Sequence, residues 1–154
     1  TLMDKLAQAA KDILLEQLPL ILNGKNQRIK QDESQVSFAY NIKPEEEILD
    51  FNQPTQSVIN HLRALLPNPG GSFFVKGIRI KVYEMLKSDI ISNEKPGTIL
   101  KVKKELLIKT KDGVVSIKKI QPENKKIMMI SDFLNGQKLL LEGDIVNYEK
   151  ESII

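Results

Sequence analysis

Leu106-Leu107-Ile108-Lys109-Thr110-Lys111-Asp112-Gly113-Val114-Val115-Ser116-Ile117-Lys118-Lys119-Ile120 is the stretch on which the fold depends. Apolar residues recur there at period two, as at Leu107, Val115 and Ile117, which is the spacing of a chain whose successive side chains point to opposite faces. Asp112-Gly113 between the two runs supplies what a tight two-residue turn asks for, so the stretch predicts a β-hairpin. Outward from it the same period appears at Phe74, Ile78, Ile80 and Val82, and turn signals recur at Gly77, at Glu94-Lys95-Pro96-Gly97 and at Pro122-Glu123-Asn124. Five or six short strands closed by such turns, with a short helix over residues 131–136, predict a mainly β fold with flanking helices. The expected architecture is a small OB-like Greek-key β-barrel, with a sandwich as its competitor.

Toward the N-terminus the period changes. Leu2, Met3, Leu6, Ala10, Ile13, Leu14 and Leu18 recur at three- and four-residue steps, an amphipathic helix that fades after Pro19 and stops at Asn23-Gly24. From Lys25 the chain is polar, with a short extended candidate at residues 36–40, and reads as a linker. Pro54 stands where a first helical residue belongs. Val58, Ile59, Leu62, Leu65 and Leu66 then continue at helical spacing until Pro67-Asn68-Pro69-Gly70-Gly71 ends the pattern. Thr1 falls in mid-pattern, so the chain is expected to be part of something longer.

The formal net charge of +3 hides an asymmetry. Residues 1–66 hold 7 Lys/Arg against 9 Asp/Glu, whereas residues 67–154 hold 16 against 11, so the strand-rich half carries the positive field. No apolar run approaches the roughly 18 residues that span a bilayer, and no membrane contact is expected. The 0 cysteines exclude disulfides, thiolate metal sites and a thiol nucleophile, and they fit a reducing, cytoplasmic compartment.

Few residues are available for catalysis. His61 is the single histidine and has no ligand or triad partner at a useful spacing, so it reads as structural or surface. Glu45, Glu46 and Glu47 follow Pro44 and read as acids of a first turn. Neither a phosphate-loop nor a dinucleotide motif surrounds Gly70-Gly71. The basic residues are the better lead. With Ile78, Ile80 and Val82 facing inward, Arg79, Lys81 and Tyr83 share the outer face of one strand. Lys76, Lys103, Lys104, Lys118, Lys119, Lys125 and Lys126 decorate neighbouring strands and turns, with Lys109 and Lys111 nearby. A curled sheet could gather these into a stripe that binds phosphates. The competing view is that strand lysines are ordinary solvated faces. Aromatics are too few for base stacking, which leaves folded RNA, bound by shape and backbone, as the nucleic-acid partner.

Three stretches resemble the methionyl-tRNA formyltransferases. The first is Gln31-Asp32-Glu33-Ser34 through Phe38-Ala39-Tyr40-Asn41-Ile42. The second is Ile48-Leu49-Asp50-Phe51 with Arg63-Ala64 and Pro67-Asn68-Pro69-Gly70-Gly71. The third is Pro96-Gly97-Thr98-Ile99, Gln121-Pro122-Glu123-Asn124-Lys125-Lys126 and Asp132-Phe133-Leu134-Asn135-Gly136. Phe51 and Asn68 stand where that family commonly has tryptophan, and Asn124 where it has glycine. The resemblance implies that residues 1–24 are the last helix of a catalytic domain that lies upstream, 25–47 a linker, and 48–154 the C-terminal OB-like barrel domain with its leading helix. It implies an intact monomeric enzyme that formylates the methionine of initiator methionyl-tRNA with 10-formyltetrahydrofolate as co-substrate, at the start of translation. In that arrangement this chain holds no catalytic residue, metal or cofactor, and it docks the tRNA and its own N-terminal catalytic domain. Two alternatives stay open. One is a related formyltransferase or formyl-folate enzyme with a non-RNA substrate, and the other is a purely structural brace acting through the first helix.

Overall fold

The computed structural model describes residues 1–146. The chain divides into two compact units, Thr1–Tyr40 and Asn41–Ile154.

In the first unit α1 spans Leu2–Leu22, capped by Thr1, whose hydroxyl accepts from the Asp4 amide while the Asp4 carboxylate accepts from Thr1 in return. Pro19 lies inside the last turn. The Asn23 amide and side chain both donate to its carbonyl oxygen, and Gly24 takes the left-handed conformation, so the helix stops where the Asn-Gly pair predicts. No residue of α1 is buried, and its apolar side chains, Ile13 and Leu14 among them, stay exposed. Residues 36–40 form no strand, and the only regular element after α1 in this unit is a 3-10 turn at Glu33–Gln35.

The second unit holds the sheet. In chain order its elements are a 3-10 turn at Pro44–Glu47, α2 (Thr55–Leu65), β1 (Gly71–Val75), β2 (Ile78–Ser88), β3 (Ile99–Lys101), β4 (Leu106–Lys109), β5 (Val114–Pro122), β6 (Met128–Met129) and α3 (Ile130–Leu134). The strands run antiparallel in the order β1-β2-β5-β4-β3, and β6 pairs β5 beyond the end of β4. From β2 the chain passes over two strands to reach β3, which is the Greek-key connection expected from the sequence. The sheet curls into a half-barrel. Its concave face is filled by Phe73, Val75, Ile80, Val82, Leu106, Ile108, Val115, Ile117 and Ile120. Val58 and Leu62 of α2 pack against them together with Leu49 and Phe51. No helix among the described residues is long and apolar enough to cross a membrane.

Two details depart from simple alternation. Ile78, expected to face inward, is 38% exposed because it opens β2 directly after the Gly77 turn. Along β5, Ile117 and Ile120 are both fully buried, leaving two residues between inward positions where strict alternation allows one. The opposite strand shows the same irregularity, with register shifts between Val82, Glu84 and Met85. Such a bulge lets Lys118 and Lys119 both lie outside the core.

Pro54 is the residue before α2 and not its first, and it offers no side-chain cap. The cap comes from the hairpin turn. Asp112 accepts from the Thr55 amide and hydroxyl, both at 2.7 Å, while the Thr55 and Thr110 hydroxyls lie 2.6 Å apart. Gly113 is needed for the same reason, since a Cβ there would come within 2.6 Å of the Thr55 hydroxyl oxygen.

Candidate nucleic-acid interface

Strand register decides which candidate cations meet. Ile80 pairs with Pro122, so β2 begins where β5 ends, and the Glu123 amide donates to the Arg79 carbonyl across that gap. The β1–β2 turn, which carries Lys76, and the β5–β6 turn, which carries Lys125 and Lys126, therefore share one end of the sheet. Leu106 pairs with Ile117, which brings the β3–β4 turn with Lys103 and Lys104 alongside Lys118. All nine cations expected from the sequence lie toward this end. Lys109 and Lys111 belong to the opposite end, by the N-terminus of α2. There the Lys111 amide donates to the Gln53 carbonyl, and the buried Lys109 ammonium is held by the carbonyls of Thr110 and Gly113.

The nine fall into two groups. Lys76 pairs with Asp144 at 2.6 Å, and its ammonium also donates to the Leu139 carbonyl. Arg79 and Lys81 converge on Glu47, at 2.6 and 3.4 Å. They do share the outer face of β2 with Tyr83, as the alternation implies, and all three are half-buried. The Tyr83 hydroxyl donates to Gln121 Oε1 at 3.0 Å, and Gln121 Nε2 donates to the Lys125 carbonyl, so this network shapes the turn that presents Lys125 and Lys126.

Among the described residues, Lys103, Lys104, Lys118, Lys119, Lys125 and Lys126 make no ion pair. Lys118 is half-buried and the other five are exposed. Lys104 adopts a left-handed backbone (φ 57°), as does Asn124 (φ 60°), so both turns bend sharply and project their lysines. The Lys125 ammonium lies 5.8 Å from the centre of the Phe133 ring, a distance that suits a cation–π contact. Glu105, between the two lysine pairs, is engaged by Lys101 at 2.8 Å. Its carboxyl is held below the usual range chiefly by that hydrogen bond, which outweighs the opposing effect of burial, with lesser lowering by the charges of Lys101 and Lys118.

Residue spacing does not point to Glu47 or Asp144 as partners, because Glu47 lies 32 residues from Arg79 and no spacing rule links them. His61 donates from Nε2 to the Glu46 carbonyl at 2.9 Å, consistent with a structural histidine. Among the described residues there is no group of three or more acidic, histidine or cysteine side chains placed to hold a metal ion. A shallow cleft of about 400 Å³ opens between Arg79, Lys81, Gln121, Pro122, Glu123 and Asn124.

A family model described as formyl transferase, C-terminal domain, matches residues 41–138. Curated relatives from strains of Streptococcus pneumoniae, named methionyl-tRNA formyltransferase, are 44% identical over 137 residues, covering 88% of this chain. The match spans 43% of the length of those relatives. Among solved structures, HypX from Aquifex aeolicus in complex with tetrahydrofolic acid superposes with a TM-score of 0.63 at 22% identity, covering 90% of this chain and 26% of that one. A multiply substituted variant of HypX gives 0.64 over 81% of this chain and 23% of its own. At that identity the likeness concerns the fold alone.

Proposed function

The chain belongs to the formyl transferase C-terminal domain family, and from that premise we propose that it is the tRNA-docking part of a methionyl-tRNA formyltransferase. The intact enzyme joins the formyl carbon of 10-formyltetrahydrofolate to the amino group of methionine carried by initiator tRNA, releasing tetrahydrofolate. No residue of this chain is assigned to that transfer or to the folate. Residues 1–24 are read as the closing helix of the catalytic domain and residues 25–47 as the linker. The exposed apolar side chains of α1 support this reading, because a helix with such a face needs a partner.

The observation that carries the proposal is that six lysines which make no ion pair among the described residues, Lys103, Lys104, Lys118, Lys119, Lys125 and Lys126, lie toward one end of the sheet, bordered by Lys76, Arg79 and Lys81. Cations without partners are free to displace counter-ions from phosphates, and turn and strand lysines of this kind position a folded RNA without reading its bases. If about four to six phosphates are engaged, log affinity for tRNA falls against log salt with a slope of about −3 to −5. Binding indifferent to salt would refute the reading. In the full-length enzyme, charge reversal at Lys118-Lys119 and Lys125-Lys126 is expected to abolish formylation of tRNA. Unchanged tRNA formylation would refute these lysines as the docking surface, and activity on a small non-RNA amine that survives the reversals would point to the other formyltransferases instead.

A further inference from the structure

Glu47 has a role that neither family membership nor the charge pattern supplies. It ends the 3-10 turn Pro44–Glu47, and its carboxylate is 14% exposed between the guanidinium of Arg79 and the ammonium of Lys81. The same guanidinium nitrogen donates to Ser72 Oγ at 3.1 Å, and Lys81 donates to the Pro69 carbonyl at 3.0 Å. Ser72 in turn reaches the Glu47 carbonyl, its own carbonyl accepts from the Leu49 amide at 2.8 Å, and Ile48 forms a parallel bridge with it. The His61 contact with the Glu46 carbonyl fastens the turn from its other side. Most of these contacts hold residues 46–49 against β1 and β2, while Lys81 also reaches the Pro69 carbonyl and Arg79 Nε is buried without a hydrogen-bond partner.

We propose that Glu47, Arg79 and Lys81 form an anchor that fixes the path by which the chain joins the sheet, and that the phosphate-binding surface stops at the six lysines that make no ion pair among the described residues. The charge balance of the neighbouring cleft supports this. Arg79 and Lys81 are matched by Glu47 and Glu123, so the cleft has no net positive charge with which to hold a phosphate. The bond geometry agrees, because a phosphate on Arg79 would have to displace a carboxylate that is already bound at 2.6 Å and largely shielded from water. Glu47 is thus a positioning residue.

The second half of this inference rests on the RNA-docking reading, whereas the first does not, and the test separates them. Glu47→Gln, Arg79→Gln and Lys81→Gln variants of the 154-residue chain are compared with Lys118→Gln and Lys125→Gln by amide exchange and by salt-dependent binding of tRNA. Glu47→Gln and Arg79→Gln are expected to speed exchange at Leu49 roughly tenfold or more, the equivalent of one lost charge-assisted hydrogen bond. Arg79→Gln is expected to leave the salt slope unchanged, and Glu47→Gln, which strips two cations of their carboxylate, to leave it no shallower. Each lysine variant is expected to reduce the slope by about 0.7 to 0.9 while leaving exchange at Leu49 alone. Combining Glu47→Arg with Arg79→Glu should restore protection. An unchanged exchange rate in Glu47→Gln overturns the anchor. A slope lowered by Arg79→Gln as much as by Lys118→Gln overturns the boundary of the surface. Failure of every form to bind tRNA defeats the docking reading and that boundary together, and the exchange result then decides the anchor by itself.

Discussion

Replacing Gly71 by alanine probes how closely the anchored segment approaches the sheet. Gly71 opens β1 and is buried, with its neighbour Ser72 hydrogen-bonded to Leu49. A Cβ at position 71 would stand 2.8 Å from Leu49 Cδ2 and 2.9 Å from both Cδ1 and Cγ. Carbon atoms prefer about 3.5–4.0 Å, so all three contacts are too short by roughly 0.6–1.2 Å. Because the branch carbon is among them, moving one methyl does not relieve the overlap. The fully buried Leu49 side chain or its backbone must shift. Overpacking of this kind costs about 1–3 kcal/mol. Alanine in a strand recovers about 0.5–1 kcal/mol of backbone entropy, which leaves a net loss of about 0–2.5 kcal/mol. For a domain near this size that lowers the melting temperature by ~4 °C per kcal/mol. Urea unfolding of the parent, Gly71→Ala, Leu49→Ala and the double variant isolates the overlap, because the backbone entropy of position 71 cancels around the cycle. Leu49→Ala alone should cost about 2–5 kcal/mol. In its background the new methyl enters vacated space, giving a coupling of about 1–3 kcal/mol. A coupling below about 0.5 kcal/mol would refute the argument that Gly71 is there to admit Leu49.

Two further outcomes follow from the core and from the cap of α2. Phe51 and Phe73 are fully buried with ring centroids 5.9 Å apart, edge to face. Phe51→Ala should therefore lose about 3–5 kcal/mol in urea unfolding, and a loss under about 1 kcal/mol would place the ring outside the core. The Asp112 carboxyl is held below its ordinary value of 3.8 by the Thr55 amide, then by the Thr55 hydroxyl, with a smaller lowering by the charge of Lys87. A lowered folded value means that the contribution is complete above the ordinary value and is lost as pH falls through it toward the folded one. Stability curves of the parent and Asp112→Asn should therefore separate above about pH 4 and draw together in acid, whereas parallel curves from pH 2 to 6 would contradict the cap.

The hairpin and the two longer helices are written in local pattern. Asp112-Gly113 turns the chain, Asn23-Gly24 ends α1, and period two marks β2 and β5, because these depend on the conformational preferences of a few adjacent residues. The glycine of the hairpin illustrates where that reasoning ends. Gly113 does not take the left-handed conformation for which a tight hairpin turn selects glycine, and the crowding that excludes a side chain comes from Thr55, on an element far away in sequence. Ile78 shows the same limit, since its period suits the core but its place beside the Gly77 turn leaves it exposed.

From the sequence alone came the mainly β class, the Greek-key expectation, the family resemblance and the concentration of positive charge in the second half. The tertiary structure alone decided how the cations divide, with Lys76 paired to Asp144, Arg79 and Lys81 sharing Glu47, and the six lysines of the outer turns and the β5 bulge making no ion pair among the described residues. The physical reason is one of range. Backbone preference and alternation act over a few residues along the chain, whereas an ion pair forms only where register and chain crossings bring charges within a few ångströms, and nothing in the spacing of residues 47 and 79 encodes that distance.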